Sequence, residues 1–434
     1  MDVRPFRGLR YRPSAVGDLS LVISPPYDVV GVDQRGRLYE QSPYNIVRLE
    51  FGLPFPDDGP GDNVYTRAAA LFRRWRAEGV LGEEASPAFY VLEEVFTHQG
   101  GRRVRRGVLG AVRLEPYGGG VVFPHEHTAP GPKEDRLRLW QATGASFSPI
   151  LALCPPSKAL RDILQALAET PPQVDTQGWD ATRYRMWVVT GPEEQRAICA
   201  ALAPLPVYLA DGHHRYEAAL LYRSLREKAG PSHPDAAHNF APMCLVGMDD
   251  PGLVVEAFHR LVPPLPPQGR LALEAQEAGV FTPLEGSWPL TPAHAEALLE
   301  RIRGERGVLI GLAKREEGRL RLLRLRPGAL AGRAPHPALL GCPSWVVQEG
   351  VLVPALGEEA LSHTVAYVHS LSDVLHRLER GEAERAYLLP PIPWGVFTAV
   401  VEAGLRLPPK STYFYPKLPA GLVIYPLEGT VAPP

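Results

Sequence analysis

The stretch VYLADGHHRYEAALLYRSL, Val207 to Leu225, limits what this chain can fold into more than any other. β-prone apolar residues run into a glycine, and apolar residues at helical spacing follow, so the pattern predicts a strand that becomes a helix through Gly212. Such a junction leaves the first backbone N–H groups of the helix unpaired, and the helix dipole adds roughly half a positive charge there. An anion suits that place, and the sequence surrounds it with Asp211, His213, His214 and Arg215. Gly212 allows close backbone approach to a phosphate, and Arg215 offers a fork of donors that fits one. His213 and His214 donate to phosphate oxygens or pass a proton. Asp211 holds a metal, orients a histidine or caps the helix, and the residues alone leave the three roles open.

A chain of 434 residues implies two or three domains. We expect an α+β region over 1–150, a region with βαβ-like rhythm over 151–265 that carries DGHHR, and an α/β region over 266–434. The fold class is α/β or α+β with mixed sheets, because hairpins and crossovers both occur. Residues 64–78 read as a helix stopped by Gly79, and AFYVLEEVFTHQGGRRVRRGVLGAVRLE as a hairpin whose arginines face mostly solvent. MCLVGMDDPGLVVEAFHRLV reads as two strands joined by an Asp-Asp-Pro-Gly turn, and GLVIYPL as a terminal strand.

Net charge is −2, so no global field draws the molecule to nucleic acid or an anionic membrane. Four scattered cysteines form no disulfide framework. With no apolar leader and no apolar run of spanning length, a cytoplasmic location without membrane partners is expected.

Three further stretches carry candidate chemistry. In FPHEHT, extended geometry puts His125 and His127 on one side and Glu126 on the other, giving polar lining or a two-histidine metal pair without a nearby third ligand. In SPPYDVV, a rigid loop presents Tyr27 and Asp28, a carboxylate for general-base work or magnesium. In PPKSTYFYPKL, Lys410, Ser411, Thr412 and Lys417 can grip a phosphate while the aromatics stack a ring. Only six of the 46 basic residues are lysine, which draws attention to this pair. The stretch does not fit the GxxxxGK[ST] phosphate loop.

Together RPFRGLRY, SPPYDVV, YNIVRL, FPHEHT with KEDRL, ADGHHRYEAAL, DDPGL with HRLV, and PPKSTYFYPKLPAGL resemble the domain of unknown function 1015 family, from Arg4 to the C-terminal strand. DGHHR is also similar to the phosphate-binding motif of the ParB/sulfiredoxin superfamily, most closely that of archaeal free-serine kinases. Sulfiredoxins match Gly212, His214 and Arg215 but carry cysteine where His213 stands, and ParB proteins match Gly212 and Arg215 alone. The resemblance implies a ParB/sulfiredoxin-like core with added N- and C-terminal regions. It also implies phosphoryl transfer on a small hydroxylated metabolite, in the manner of a phosphoserine phosphatase or a serine kinase. On that reading Gly212, His214, Arg215, Lys410, Ser411, Thr412 and Lys417 bind phosphate, and Asp28, His125, Glu126, Asp211, His213 and His214 supply the catalytic groups. Magnesium and a nucleotide are the expected cofactors. The rival reading is a ParB-like, nucleotide-gated DNA-binding protein.

Overall fold

A computed structural model describes residues 1–303 and 305–433. The chain is mixed α/β and divides into two compact units, Met1–Leu253 with Pro416–Pro434, and Val254–Tyr415.

The first unit is built on a nine-stranded sheet. Its order is Val122–Phe123, Val207–Asp211, Ile150–Cys154, Phe240–Gly247, Gly101–Arg113, Phe89–His98, Arg183–Val189, Val174–Gln177, with Val3–Arg4 added against Gly101–Arg113. Val207–Asp211 runs parallel to Val122–Phe123, and Phe240–Gly247 parallel to Ile150–Cys154, while the other pairs are antiparallel. Strands from both sides of residue 150 therefore share one core, and the expected boundaries at 150 and 265 give way to a division after Leu253.

The predicted hairpin forms with His98 opposite Gly101. Gln99 at φ 49° and Gly100 at φ 73° supply the two left-handed residues that a tight hairpin turn needs. Arg102 and Arg103 face solvent as expected, but Arg105 is fully buried and pairs with Glu94 at 2.6 Å, and Arg106 reaches Glu93 at 2.7 Å. Alternation misplaces them because helix Lys158–Ala168 and the 249–252 turn pack beside this end of the hairpin.

The helix Val64–Ala77 starts on an Asn63–Thr66 capping box, and Gly79 follows it at φ 74°. The DDPG stretch does not close a hairpin. Phe240–Gly247 belongs to the large sheet, whereas Val254–Glu256 pairs with Tyr413–Tyr415 in the second unit. Gly252 is held against the hairpin, where a Cβ would stand 2.3 Å from the Val104 backbone. The terminal strand shortens to Tyr425–Pro426, paired with Ala145–Ser146.

The second unit carries a six-stranded antiparallel sheet in the order Phe281–Pro289, Arg319–Leu325, Leu309–Lys314, Arg385–Leu388, His259–Val262, Ala366–Val368. Helices Pro292–Arg303 and Leu371–Glu379 contribute Leu298, Ile302, Val374 and Leu378 to its core.

Candidate functional site

The parallel pairing of Val122–Phe123 with Val207–Tyr208 makes two chains leave the sheet at the same end. His125 follows one strand and Gly212–His213 the other. Carboxyl ends of neighbouring parallel strands are where α/β proteins place ligands.

Gly212 adopts φ 94°, ψ 30° and opens the helix His213–Ala229 with no side-chain cap. Capping is therefore not the role of Asp211. A Cβ at residue 212 would stand 2.9 Å from Arg215 Nε and 3.0 Å from its guanidinium carbon. Glycine is required here by its φ and by the arginine that folds back over it.

Arg215 is only 2% exposed. Its Nη1 donates to Ser148 Oγ at 3.2 Å and to the Pro149 carbonyl, and Nη2 donates to Asp211 Oδ2 at 2.9 Å. Nε has no hydrogen-bond partner among the described residues. Much of the fork expected to grip phosphate is thus engaged with the protein. The other oxygen of Asp211 accepts from Lys417 Nζ. Burial alone would raise the Asp211 carboxyl, but Lys417 and Arg215 outweigh it and hold that carboxyl well below the usual carboxylate range.

Hydrogen-bond complementarity assigns the imidazole tautomers. His125 Nδ1 lies 2.7 Å from the Leu209 carbonyl, which only accepts, so Nδ1 carries the proton and Nε2 the lone pair. The backbone N–H of His125 donates to His213 Nε2 at 3.2 Å, and that of Ala129 to His214 Nε2 at 3.0 Å, so both of these rings are donors at Nδ1 when neutral. Burial lowers the pKa of His125 and of His214, while Glu126 opposes the shift at His125 and Asp28 opposes it at His214.

The HEHT segment is tied to the same helix one turn on, where Thr128 Oγ1 and Lys133 Nζ donate to Glu217 Oε2 at 2.5 and 3.0 Å. Because the chain bends at Glu126, alternation fails there. His127 is exposed, and the group of potential metal ligands is His125, Glu126 and His213, with one ligand atom each within 4.8 Å of the others. Two imidazoles and one carboxylate do not fit magnesium, which prefers oxygen ligands, and His213 Nε2 already accepts the His125 N–H.

Asp28 and Lys417 arrive through one stitched segment. Ala420 and Ser24 exchange backbone hydrogen bonds at 2.9 and 3.3 Å, and Gly421 N–H donates to the Phe147 carbonyl at 3.0 Å. The returning C-terminal chain therefore aligns SPPYD, Ser148 and Lys417. Asp28 is exposed, and its charge acts on both His214 and Arg215. Sequence reasoning missed the buried chain beneath: Ser148 Oγ donates to Glu50 Oε1 at 2.7 Å, and Arg136 lies 3.3 Å from the same oxygen and stacks 3.9 Å over the Tyr27 ring.

Lys410, Ser411 and Thr412 lie in the second unit, whereas Lys417 lies in the first. The carbonyl of Lys410 accepts from Arg260 Nη1 at 2.7 Å, and Ser411 Oγ is bonded to Ser344 Oγ at 2.8 Å and the Pro408 carbonyl at 2.6 Å. Thr412 is buried.

Residues 3–327 match the family described as "Protein of unknown function (DUF1015)", and the chain belongs to that family. The matched region contains Asp28, HEHT and DGHHR and ends before Lys417. No curated protein matches the chain. Among solved structures, a conserved hypothetical protein from Pyrococcus furiosus is 14% identical, with 73% of this chain and 94% of that one covered at a TM-score of 0.35. A free serine kinase in complex with AMP is 13% identical, covering 74% and 91% at 0.37. SbnI with C-terminal truncation from Staphylococcus aureus is 12% identical, covering 74% and 87% at 0.37. These likenesses are too distant to place any residue of this chain. No helix among the described residues is long and apolar enough to cross a membrane.

Proposed function

We propose that the site at the start of helix His213–Ala229 performs phosphoryl transfer on a small hydroxylated metabolite, as a serine kinase or a phosphoserine phosphatase. The observation that carries this reading is the Lys417–Asp211–Arg215 ion triad beside an uncapped helix start flanked by three imidazoles. Backbone N–H groups, the Lys417 ammonium and the Nδ1–H groups of His213 and His214 supply positive potential for the equatorial oxygens of a transferring phosphoryl group, which is most of what such chemistry needs. Gly212 and Arg215 shape that cradle, Arg215 chiefly by fixing Asp211. An acceptor hydroxyl, or water in the hydrolytic direction, forms the new O–P bond as the bond to the leaving oxygen breaks. Its proton passes to the Nε2 lone pair of His125 or to the carboxylate of Asp28 or Glu126. A nucleotide is the natural donor for the kinase direction.

A DNA-clamping reading needs several cations available to phosphates. The net charge of −2 supplies no general positive field, and of the four hairpin arginines Arg105 and Arg106 are paired with Glu94 and Glu93, so only Arg102 and Arg103 face solvent.

The deciding assay measures phosphate release from phosphoserine and a panel of phosphorylated metabolites. Phosphoserine formation from serine with ATP, ADP, pyrophosphate or polyphosphate is followed in parallel, with His214→Ala and Lys417→Met as controls. Turnover that both variants lose supports the proposal, and no turnover in either direction by the wild type ends it.

A further inference from the structure

Beside the proposed site, and distinct from it, lies a cavity of ≈ 190 Å³ lined by Arg35, Glu50, Phe51, Tyr65, Asp135 and Arg136 among others. It is smaller than most ligand pockets, which start near about 300 Å³, so its occupant has few heavy atoms. Its charged lining contains two guanidiniums and two carboxylates. Arg136 is 2% exposed and its guanidinium is held by the protein: Nε and Nη2 donate to Asp135 Oδ2 at 2.9 and 2.6 Å, Nη2 donates to the Glu50 carbonyl at 2.9 Å, and Nη1 stands 3.3 Å from the Glu50 carboxylate. Arg35 is half-buried, and its Nε has no hydrogen-bond partner among the described residues. Asp135 accepts from Tyr65 Oη at 2.8 Å and from Arg136, yet keeps about a third of its side chain exposed, at 35%. The Arg35 guanidinium lies 4.5 Å from the Phe51 ring and its Nη1 donates to the Gly52 carbonyl at 3.4 Å, but it forms no ion pair among the described residues, so its charge favours an anionic group beside it.

We propose that this cavity binds a small zwitterionic amino acid, its carboxylate on Arg35 and its ammonium on Asp135. A simple anion would meet Asp135 and Glu50, and a simple cation would meet the two arginines. A ligand with both signs separated by one or two atoms satisfies both halves of the lining. The site is also joined to the phosphoryl-transfer site through Arg136, Glu50, Ser148 and Arg215 in contact sequence. Its occupancy does not rest on what chemistry happens there.

The test is calorimetric titration of the full chain, without any phosphate ester or nucleotide, with glycine, L-alanine and L-serine, and with acetate and methylamine as single-charge arms. At least one zwitterion is expected to bind saturably and at least tenfold more tightly than acetate or methylamine. Asp135→Asn and Arg35→Met, checked for folding by thermal melting, are each expected to weaken it at least tenfold. Absence of saturable binding by all three zwitterions, equal binding of acetate, or unchanged affinity in folded variants would overturn the proposal. Should a variant fail to fold, the wild-type comparison of arms still decides. Because no phosphoryl donor is present, failure here bears on the cavity and leaves the phosphoryl-transfer reading to its own assay.

Discussion

Lys417 donates to Asp211 across 206 residues of sequence, and the same carboxylate receives Arg215 one helical turn further on. Two cations on one carboxylate make that acid strong, and each keeps the other in place. Lys417→Met should cost about 1.5–3 kcal/mol, the size of a charge-assisted hydrogen bond, and lower turnover about 10²-fold if the ammonium faces transferring charge. The sign with pH follows from the depressed Asp211 pKa. Its stabilisation is complete above the unfolded value near about 4 and is lost as pH falls from there through the folded value. Urea titrations at a series of pH values should show this acid-side loss in the wild type and a flatter profile in Lys417→Met; identical profiles would contradict the pairing.

At Gly212 the conflict is steric as well as conformational. Gly212→Ala places a methyl group at φ 94°, within 2.9 Å of Arg215 Nε. Strain at such a φ is worth about 1–3 kcal/mol, and the guanidinium must also shift away from Asp211. Thermal melting should register the loss, and phosphate-dependent stabilisation should vanish with it. A variant as stable as the wild type would mean that the helix start is not held as described.

Asp28 is the test of whether SPPYD reaches the histidines. Burial lowers the His214 pKa and the Asp28 charge opposes that shift. Removing the charge in Asp28→Asn must therefore lower the His214 pKa further. An NMR titration of the His214 ring protons measures this directly, and no displacement would place Asp28 outside the site.

These relationships differ in how far the sequence reveals them. Strand, glycine and helix around Gly212 are legible because each depends on neighbours within a few residues. Asp28, His125, Glu126, His213 and Lys417 are legible as residue types, and the structure gathers them at one end of a sheet. What Arg215 does is not legible, since its partner Ser148 lies 67 residues away and the Glu50 behind Ser148 a further 98. Alternation gave His127 the place beside His125 that His213 occupies, because a bend at Glu126 has no strong local signature. PPKSTYFYPK reads as one motif, yet the boundary between units falls inside it, after Tyr415. The burial of Arg105 was hidden because a strand pattern reports alternation and not what packs on each face.

That buried arginine supports the functional segment. Arg105 is fully buried, pairs with Glu94 at 2.6 Å and donates through Nη2 to the Pro416 carbonyl at 2.7 Å, one residue before Lys417. Removing one member of a buried ion pair leaves the other uncompensated, at a cost of about 3–5 kcal/mol, whereas replacing both with apolar residues is often near neutral. Glu94→Leu and Arg105→Met should each destabilise by that amount, and the double variant should recover most of it. Recovery of stability need not restore the anchor, because the methionine offers Pro416 no donor. The double variant should therefore fold like the wild type while its Lys417-dependent turnover stays low. Full activity in a stable double variant would show that Lys417 is held without Arg105, and a double variant as unstable as the sum of the singles would show that the two residues act independently.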